Sequence, residues 1–333
     1  MIVIQSYAVA VFLAFITMLC WGSWANTQKL ATKKWPFQLY YWDYAIGVLL
    51  LSLVLAFTAG SIGAEGRSFI TDLSQADLSS LRSAFLGGVV FNIANILLVA
   101  AIAIAGMAVA FPIGIGLALA LGVITNYIAT PLGNPVILFT GVAFVIVAII
   151  LDALAYKKLP SSSAQSTTKG IVVSLMAGVL MGFFYRFVAA SMVSDFVNPE
   201  AGKLTPYTAS VIFAVGLVVS NFIWNTIFMY KPLAGEKVTY RDYFEKGDAG
   251  LHLIGILGGV IWSIGMTLNI IAAEQAGFAI SYGLGQGATM IAALWGVFIW
   301  KEFKGAKGVT GLLTAMFLFF AVGLALIIAA RLY

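Results

Sequence analysis

Ten stretches of this chain are apolar for about twenty residues each, the length of helix that crosses the hydrocarbon core of a bilayer. They cover about 7–25, 38–60, 83–104, 107–129, 134–156, 170–193, 207–230, 250–273, 277–299 and 307–330. Breakers mark the cuts: Gly106, Pro131 with Gly133, Pro160, Pro199 with Pro206, Pro232, Gly277 and Gly305. Composition agrees. The chain is 62% hydrophobic and 9% charged, with a mean hydropathy of +1.02; a soluble domain carries about 25% charged residues. So little charge cannot cover a water-facing surface, so the chain needs a lipid bilayer as its partner. The expectation is an all-α integral membrane protein with ten transmembrane helices.

Part of this pattern is written twice. Leu86-Gly87-Gly88-Val89 recurs as Leu257-Gly258-Gly259-Val260, 171 residues later. Without a gap, Ala105-Gly106-Met107-Ala108 meets Ala276-Gly277-Phe278-Ala279, and Gly114-Ile115-Gly116 meets Gly285-Gln286-Gly287. Each copy holds five spans, and tandem copies of an odd-span unit must face opposite ways in the membrane. The predicted architecture is two inverted five-helix repeats, 1–156 and 170–333, joined by a cytoplasmic linker at 157–169. Binding sites of such proteins lie between the repeats. A transporter is therefore the leading reading.

Loop charge orients the chain. One side receives Lys29, Lys33, Lys34, Lys157, Lys158, Lys169, Lys231, Lys237, Arg241, Lys246, Lys301, Lys304 and Lys307. The other receives Arg67, Arg82, Lys203 and Arg331. The first side is expected in the cytoplasm of a bacterial inner membrane, with both termini outside. No Lys or Arg lies between Met1 and Ser6, and no small-residue cleavage site follows, so the N-terminus does not read as a signal peptide. The net charge of +5 sits in loops, with no basic helix, which argues against nucleic acid. The single cysteine, Cys20, excludes an internal disulfide.

Polar groups in lipid are functional candidates by default. Arg186, well inside the sixth span, reads as a substrate anchor or as half of an ion pair. Asp43, in Tyr40-Tyr41-Trp42-Asp43-Tyr44, reads as a carrier of a coupling proton or as an interfacial charge in an aromatic belt. Glu274 breaks the repeat, standing where the first copy has Ala103, and is the second proton-coupling candidate; its place at a tight outer turn also suits simple solvation. Asp152, near Lys157, reads as an interfacial charge, and His252, at a span's edge, carries no role. Asn92 with Asn95, and Asn221 with Asn225, share helix faces, joined by Asn126, Asn269 and Gln286. Amides donate and accept, which suits a neutral small solute, but they also hold helices together. Trp21 and Trp24 flank Gly22-Ser23 and offer faces for stacking. The candidate substrate site is thus Arg186, Trp21, Trp24, Asn92, Asn95, Asn225, Asn269 and Gln286.

No Walker loop, metal-ligand spacing or nucleophile elbow occurs, so neither an enzyme nor a resident cofactor is expected. An ion-coupled or facilitative carrier fits best, as a monomer or homodimer. A drug or metabolite exporter is the alternative, and a non-transporting scaffold or receptor the third class.

Ten spans as two inverted fives resemble the drug/metabolite transporter superfamily. Within it, Leu19-Cys20-Trp21-Gly22-Ser23-Trp24-Ala25-Asn26-Thr27-Gln28-Lys29 resembles the first-helix motif of the ureide permease-like group, which is close to bacterial sugar porters. Tyr41-Trp42-Asp43-Tyr44 and Gly106-Met107-Ala108-Val109-Ala110-Phe111-Pro112 resemble it too. The resemblance implies secondary transport, often proton-linked, of sugars, ureides or nucleobases. The long central loop of plant members is missing here.

Overall fold

A bilayer offers no water to bond exposed peptide groups, so each span must satisfy its backbone internally. A computed structural model of the chain describes residues 1–31, 34–159 and 168–333. Among them, ten helical spans are long and apolar enough to cross a membrane. No strand forms among the described residues; Met192 and Leu204 make an isolated bridge. Most of the expected linker, 160–167, and Lys33 lie outside the described residues.

The first span is α1 (Tyr7–Ser23) continued after Trp24 by α2 (Ala25–Ala31), a turn and a half beyond the predicted end. α3 (Phe37–Phe57) follows. A short helix, α4 (Phe69–Gln75), precedes α5 (Leu78–Ala105). The fourth span is broken: α6 (Met107–Ala110), a π-helical turn at Phe111–Ile115, then α7 (Gly116–Ala129). Pro112 sits in that turn, where its missing N–H and ring disturb the regular ladder. α8 (Pro135–Tyr156), α9 (Thr168–Ser191) and α10 (Pro206–Tyr230) follow. A second short helix, α11 (Tyr240–Lys246), precedes α12 (Ala249–Ala276). The ninth span is broken too: α13 (Phe278–Gly285), α14 (Ala288–Leu294) and a π-helical turn at Trp295–Ile299. α15 (Thr310–Ala329) is the last.

The short helices were not expected from sequence. Seven-residue polar segments carry no spanning signal. α11 is recognisable by its capping box, in which Thr239 and Asp242 cap each other. Lys246, then Thr239, hold the Asp242 carboxyl down to about 2.

The structure carries the 171-residue offset beyond the matched letters. α4 and α11, and likewise α5 and α12, start and end at equivalent positions. α5 and α12 both stop at a glycine of positive φ, Gly106 at 74° and Gly277 at 85°, a conformation cheap only for glycine. Packing repeats as well. A Cβ on Gly88 would fall 2.0 Å from the Phe213 carbonyl oxygen of α10, and one on Gly259 2.0 Å from that of Tyr44 on α3. The partner helices answer with glycine: Gly216 against Phe85, and Gly47 against Ile256. Backbones thus touch at two crossings. This geometry is consistent with two inverted halves.

Each crossing has no space for a methyl group. Gly88→Ala and Gly259→Ala should each lower stability by about 1–3 kcal/mol through overpacking. Melting in detergent reads this, and two variants that melt with the parent would refute the crossings.

Candidate functional site

The glycine crossings bring Phe91 of α5 and Trp262 of α12 face to face, ring centroids 4.3 Å apart. These residues are equivalent under the 171-residue offset. They form one end of a central cavity of about 230 Å³. Trp21 stacks on Trp262 at 5.9 Å and donates its Nε1–H to the Trp262 carbonyl at 3.2 Å. It fits because Gly265 and Gly285 leave the slot open; a Cβ on either would come within 2.8 Å of the indole. Trp24 leans on Tyr44 at 5.0 Å. Phe184 and Phe111 add further aromatic wall.

Polar groups are few. Asn95 donates to the Tyr41 hydroxyl at 3.3 Å. Gln28, Gln286 and Thr289 complete the polar lining, and neither glutamine side chain makes a hydrogen bond among the described residues. Among the described residues, no ionisable side chain lines the cavity. Ile115 and Gln286 are again equivalent positions, so the two halves contribute matched parts.

The cavity has a direction. Its lining runs along α5 from Phe91 to Ile102 and along α2 to Gln28, towards the lysine-rich face of the molecule. Away from that face, Phe184, Phe213, Tyr185 and Tyr282 close ranks. There Arg67 pairs with buried Asp72 at 2.9 Å and donates to the carbonyls of Pro199, Glu200 and Lys203. Asp72 also accepts from Thr205 N and Oγ1, at 2.8 and 3.0 Å. α4 is thereby clamped to the loop before α10.

Four of the sequence candidates meet in the cavity: Trp21, Trp24, Asn95 and Gln286. Four stand outside it. Asn92 bonds Ser220 at 2.9 Å, Asn225 the Gln38 carbonyl at 2.8 Å, and Asn269 the Ser281 carbonyl at 2.7 Å, each between helices. Arg186 is half-buried and makes no hydrogen bond or ion pair among the described residues. Its expected depth needs correction. α9 ends at Ser191, five residues on, about 8 Å away at helical rise, a reach its long stem can cover.

Asp43 is buried and fully partnered. Tyr243 of α11 donates to it at 2.6 Å, and His252 Nδ1 lies 2.8 Å from its other oxygen. His252, given no role from sequence, is thus Asp43's partner, with Trp35 edge-on at 4.9 Å. Burial, then the Asp43 carboxylate, push the Tyr243 hydroxyl up, so it stays a donor. Glu274 is half-buried rather than solvated, accepting from the Phe196 backbone at 2.6 Å. Asp152 is not interfacial but buried.

Gln28, Trp262, Phe91, Phe184 and Thr289 are lining residues that sequence reasoning missed. Gln28 stands one turn beyond Trp24 in the motif already singled out, and Trp262 is the repeat image of Phe91.

A family model described as "Ureide permease" matches residues 40–166 and 161–330. Ureide permease 1 of Arabidopsis thaliana is 23% identical, covering 99% of both chains. Ureide permease 4 of the same plant is 24% identical over the same shares. Glucose uptake protein GlcU of Bacillus subtilis is 26% identical over 57% of this chain and 54% of its own. One crystal structure superposes with a TM-score of 0.56 over 96% of both chains at 13% identity, a likeness of fold.

Removing the Tyr243 hydroxyl leaves one oxygen of buried Asp43 without its donor. Tyr243→Phe should cost about 1–3 kcal/mol of stability. A Tyr243→Phe protein that melts with the parent would show that the bond contributes nothing.

Proposed function

This chain belongs to the ureide permease family and is a membrane transporter for small solutes; we propose that it carries a compact, neutral, flat-faced solute with amide-like edges, a ureide or a nucleobase. The observation that carries this reading is the cavity lining, aromatic rings with Asn95, Gln28 and Gln286 and, among the described residues, no ionisable group. A charged solute would lose its hydration there without a counter-charge. Aromatic faces suit a flat ring, and amide side chains pair donor and acceptor with a ureide or lactam edge. A sugar is the second reading, favoured by the similarity to a glucose uptake protein. The relatives named above are permeases and an uptake protein, which does not favour export.

Movement is by alternating access between the two halves, 1–156 and 170–333, coupled to protons. The cavity leads towards the lysine-rich face while the Arg67–Asp72 clamp holds the other, which suits one end state of such a cycle. We place the lysine-rich face in the cytoplasm of a bacterial inner membrane, although the ureide permeases named above are plant proteins.

Purified protein in liposomes should take up radiolabelled allantoin or uracil saturably under an inward proton gradient. Gln286→Ala should weaken apparent affinity about tenfold, the worth of one net hydrogen bond. No saturable flux of allantoin, uracil or glucose overturns the substrate reading, and uptake indifferent to collapse of the gradient removes the proton.

Topology has its own test. A reporter fused after Tyr333 should be active only outside the cytoplasm. Cytoplasmic activity would invert the proposed orientation.

A further inference from the structure

α2 forms part of the cavity wall, and its other side is tied down. Ala25 and Gln28 face the cavity. Thr27 pairs with the Tyr40 hydroxyl at 2.7 Å. Asn26 accepts from Trp300 Nε1 at 2.6 Å. Lys29 forms an ion pair with Glu302 and lies 4.3 Å from the Trp300 ring centroid.

The Glu302 end is built with some care. Lys301, just before it, has a φ of 52°, a left-handed backbone that a lysine adopts at a cost. That turn returns Glu302 to its own span, where its backbone N–H donates to the Gly296 carbonyl at 3.0 Å. A Cβ on Gly296 would sit 2.9 Å from the Tyr156 hydroxyl and 3.0 Å from a Glu302 oxygen. With no Cβ there, Tyr156 donates to Glu302 at 2.8 Å.

One turn before Tyr156 on α8 stands Asp152. It is 3% exposed, its Oδ1 has no hydrogen-bond partner, and it shares a helix face with Tyr156, which holds Glu302. The other two fully buried carboxylates, Asp43 and Asp72, both accept from donors. Asp152 alone among these three has none.

We propose that Asp152 and Glu302 form a proton-binding site, and that through Lys29 its proton load governs whether α2 is docked against the cavity. The proposal rests on the transporter reading above and deepens it. The charge count is simple. Two carboxylates and one ammonium leave one negative charge, and one proton from water at the lysine-rich face, bonded to an Asp152 oxygen, makes the cluster neutral. Drawing Lys29 away with α2 uncovers a second carboxylate, which a second proton neutralises and which returns that proton to water when Lys29 redocks. Proton loading and undocking therefore favour each other, and the linkage is reciprocal.

Among the described residues, Lys29 is the cation paired with the cluster, and Lys301, next to Glu302 in the chain, makes no ion pair with it. Glu302 and Tyr156 face Asp152, with Lys29 behind Glu302. α15, packed along α8, has no ionisable residue, and in the fourth span only Tyr127 ionises, near the opposite end. Lys158 donates to the Gly308 carbonyl at 2.7 Å, and Lys157 lies beyond Tyr156 at the helix end. A metal cation is a poor fit, because Lys29 and Tyr156 already occupy the Glu302 oxygens and an alkali ion needs a cage of several.

The test uses the full chain in lipid and needs no known solute. Infrared difference spectra between acid and neutral pH should show a protonated-carboxyl C=O band. Asp152→Asn should abolish that band, and Lys29→Gln should keep it to higher pH, because the one cation is gone. In a Cys20→Ala background, maleimide labelling of Gln28→Cys, taken relative to the unfolded protein at the same pH because the thiolate is what reacts, should quicken on acidification, and adding Asp152→Asn should remove that dependence. If Asp152→Asn does not fold, Lys29→Gln and Glu302→Gln decide the question by moving the band or leaving it. A band unmoved in all the folded variants, a band set by sodium rather than pH, or pH-independent labelling overturns the site. If the parent transports solute but the band does not move, only this site falls; if it transports nothing, the spectra still decide the site.

Discussion

In a bilayer, apolar side chains gain little by leaving lipid for one another, so helices hold together where backbones come close. Several glycines do this here, and two such crossings lie at the centre, Gly88 with Gly216 and Gly47 with Gly259. Everything central depends on them. They set α5 on α10 and α12 on α3, and between the crossings they leave Phe91 and Trp262 in contact. A larger residue at any of the four would move the walls of the cavity before it touched any lining side chain.

The cavity's chemistry follows from its place. Residues equivalent under the 171-residue offset come together at the cavity, so what the duplicated segment carries there appears twice, once in each copy. At the pair Phe91 and Trp262 it carries a ring in both copies. At Ile115 and Gln286 it is apolar in one and amide in the other. The duplicated scaffold supplies the walls, and departures from the duplication supply polarity. Asp43, Asp152 and Glu302 all stand outside that lining.

Much of this was legible beforehand. Spans, tight glycine turns and the repeat are local or periodic signals, and a hydropathy ruler reads them. Asn95 and Gln286 were found because they are amides within spans, and Trp21 and Trp24 because they offer faces for stacking near the inner end of the first. Depth is only one coordinate, however. Asn92 and Asn95 are three residues apart, yet Asn92 turns to Ser220 while Asn95 faces the cavity. Arg186 is deep by sequence position but only five residues from its helix end. Asp43 and His252 meet across 209 residues of chain, and no spacing announces such a pair. The repeat itself held unused information: Phe91 and Trp262 share a register, and an inverted pair of halves brings shared registers together.

The two short helices show where the symmetry of the fold stops. α4 and α11 hold equivalent places on opposite faces, and each is fastened to the other half of the chain. On one face the fastening is Arg67 and Asp72, with the guanidinium's donors spread over three carbonyls as well. On the other it is Asp43, which a tyrosine and a histidine meet at its two oxygens. The backbones are near copies, but the free energies of unfastening them need not be. A carrier whose halves were chemically identical as well would favour neither face. The two faces are fastened by different chemistry, so nothing in the packing requires the two unfastenings to cost the same free energy.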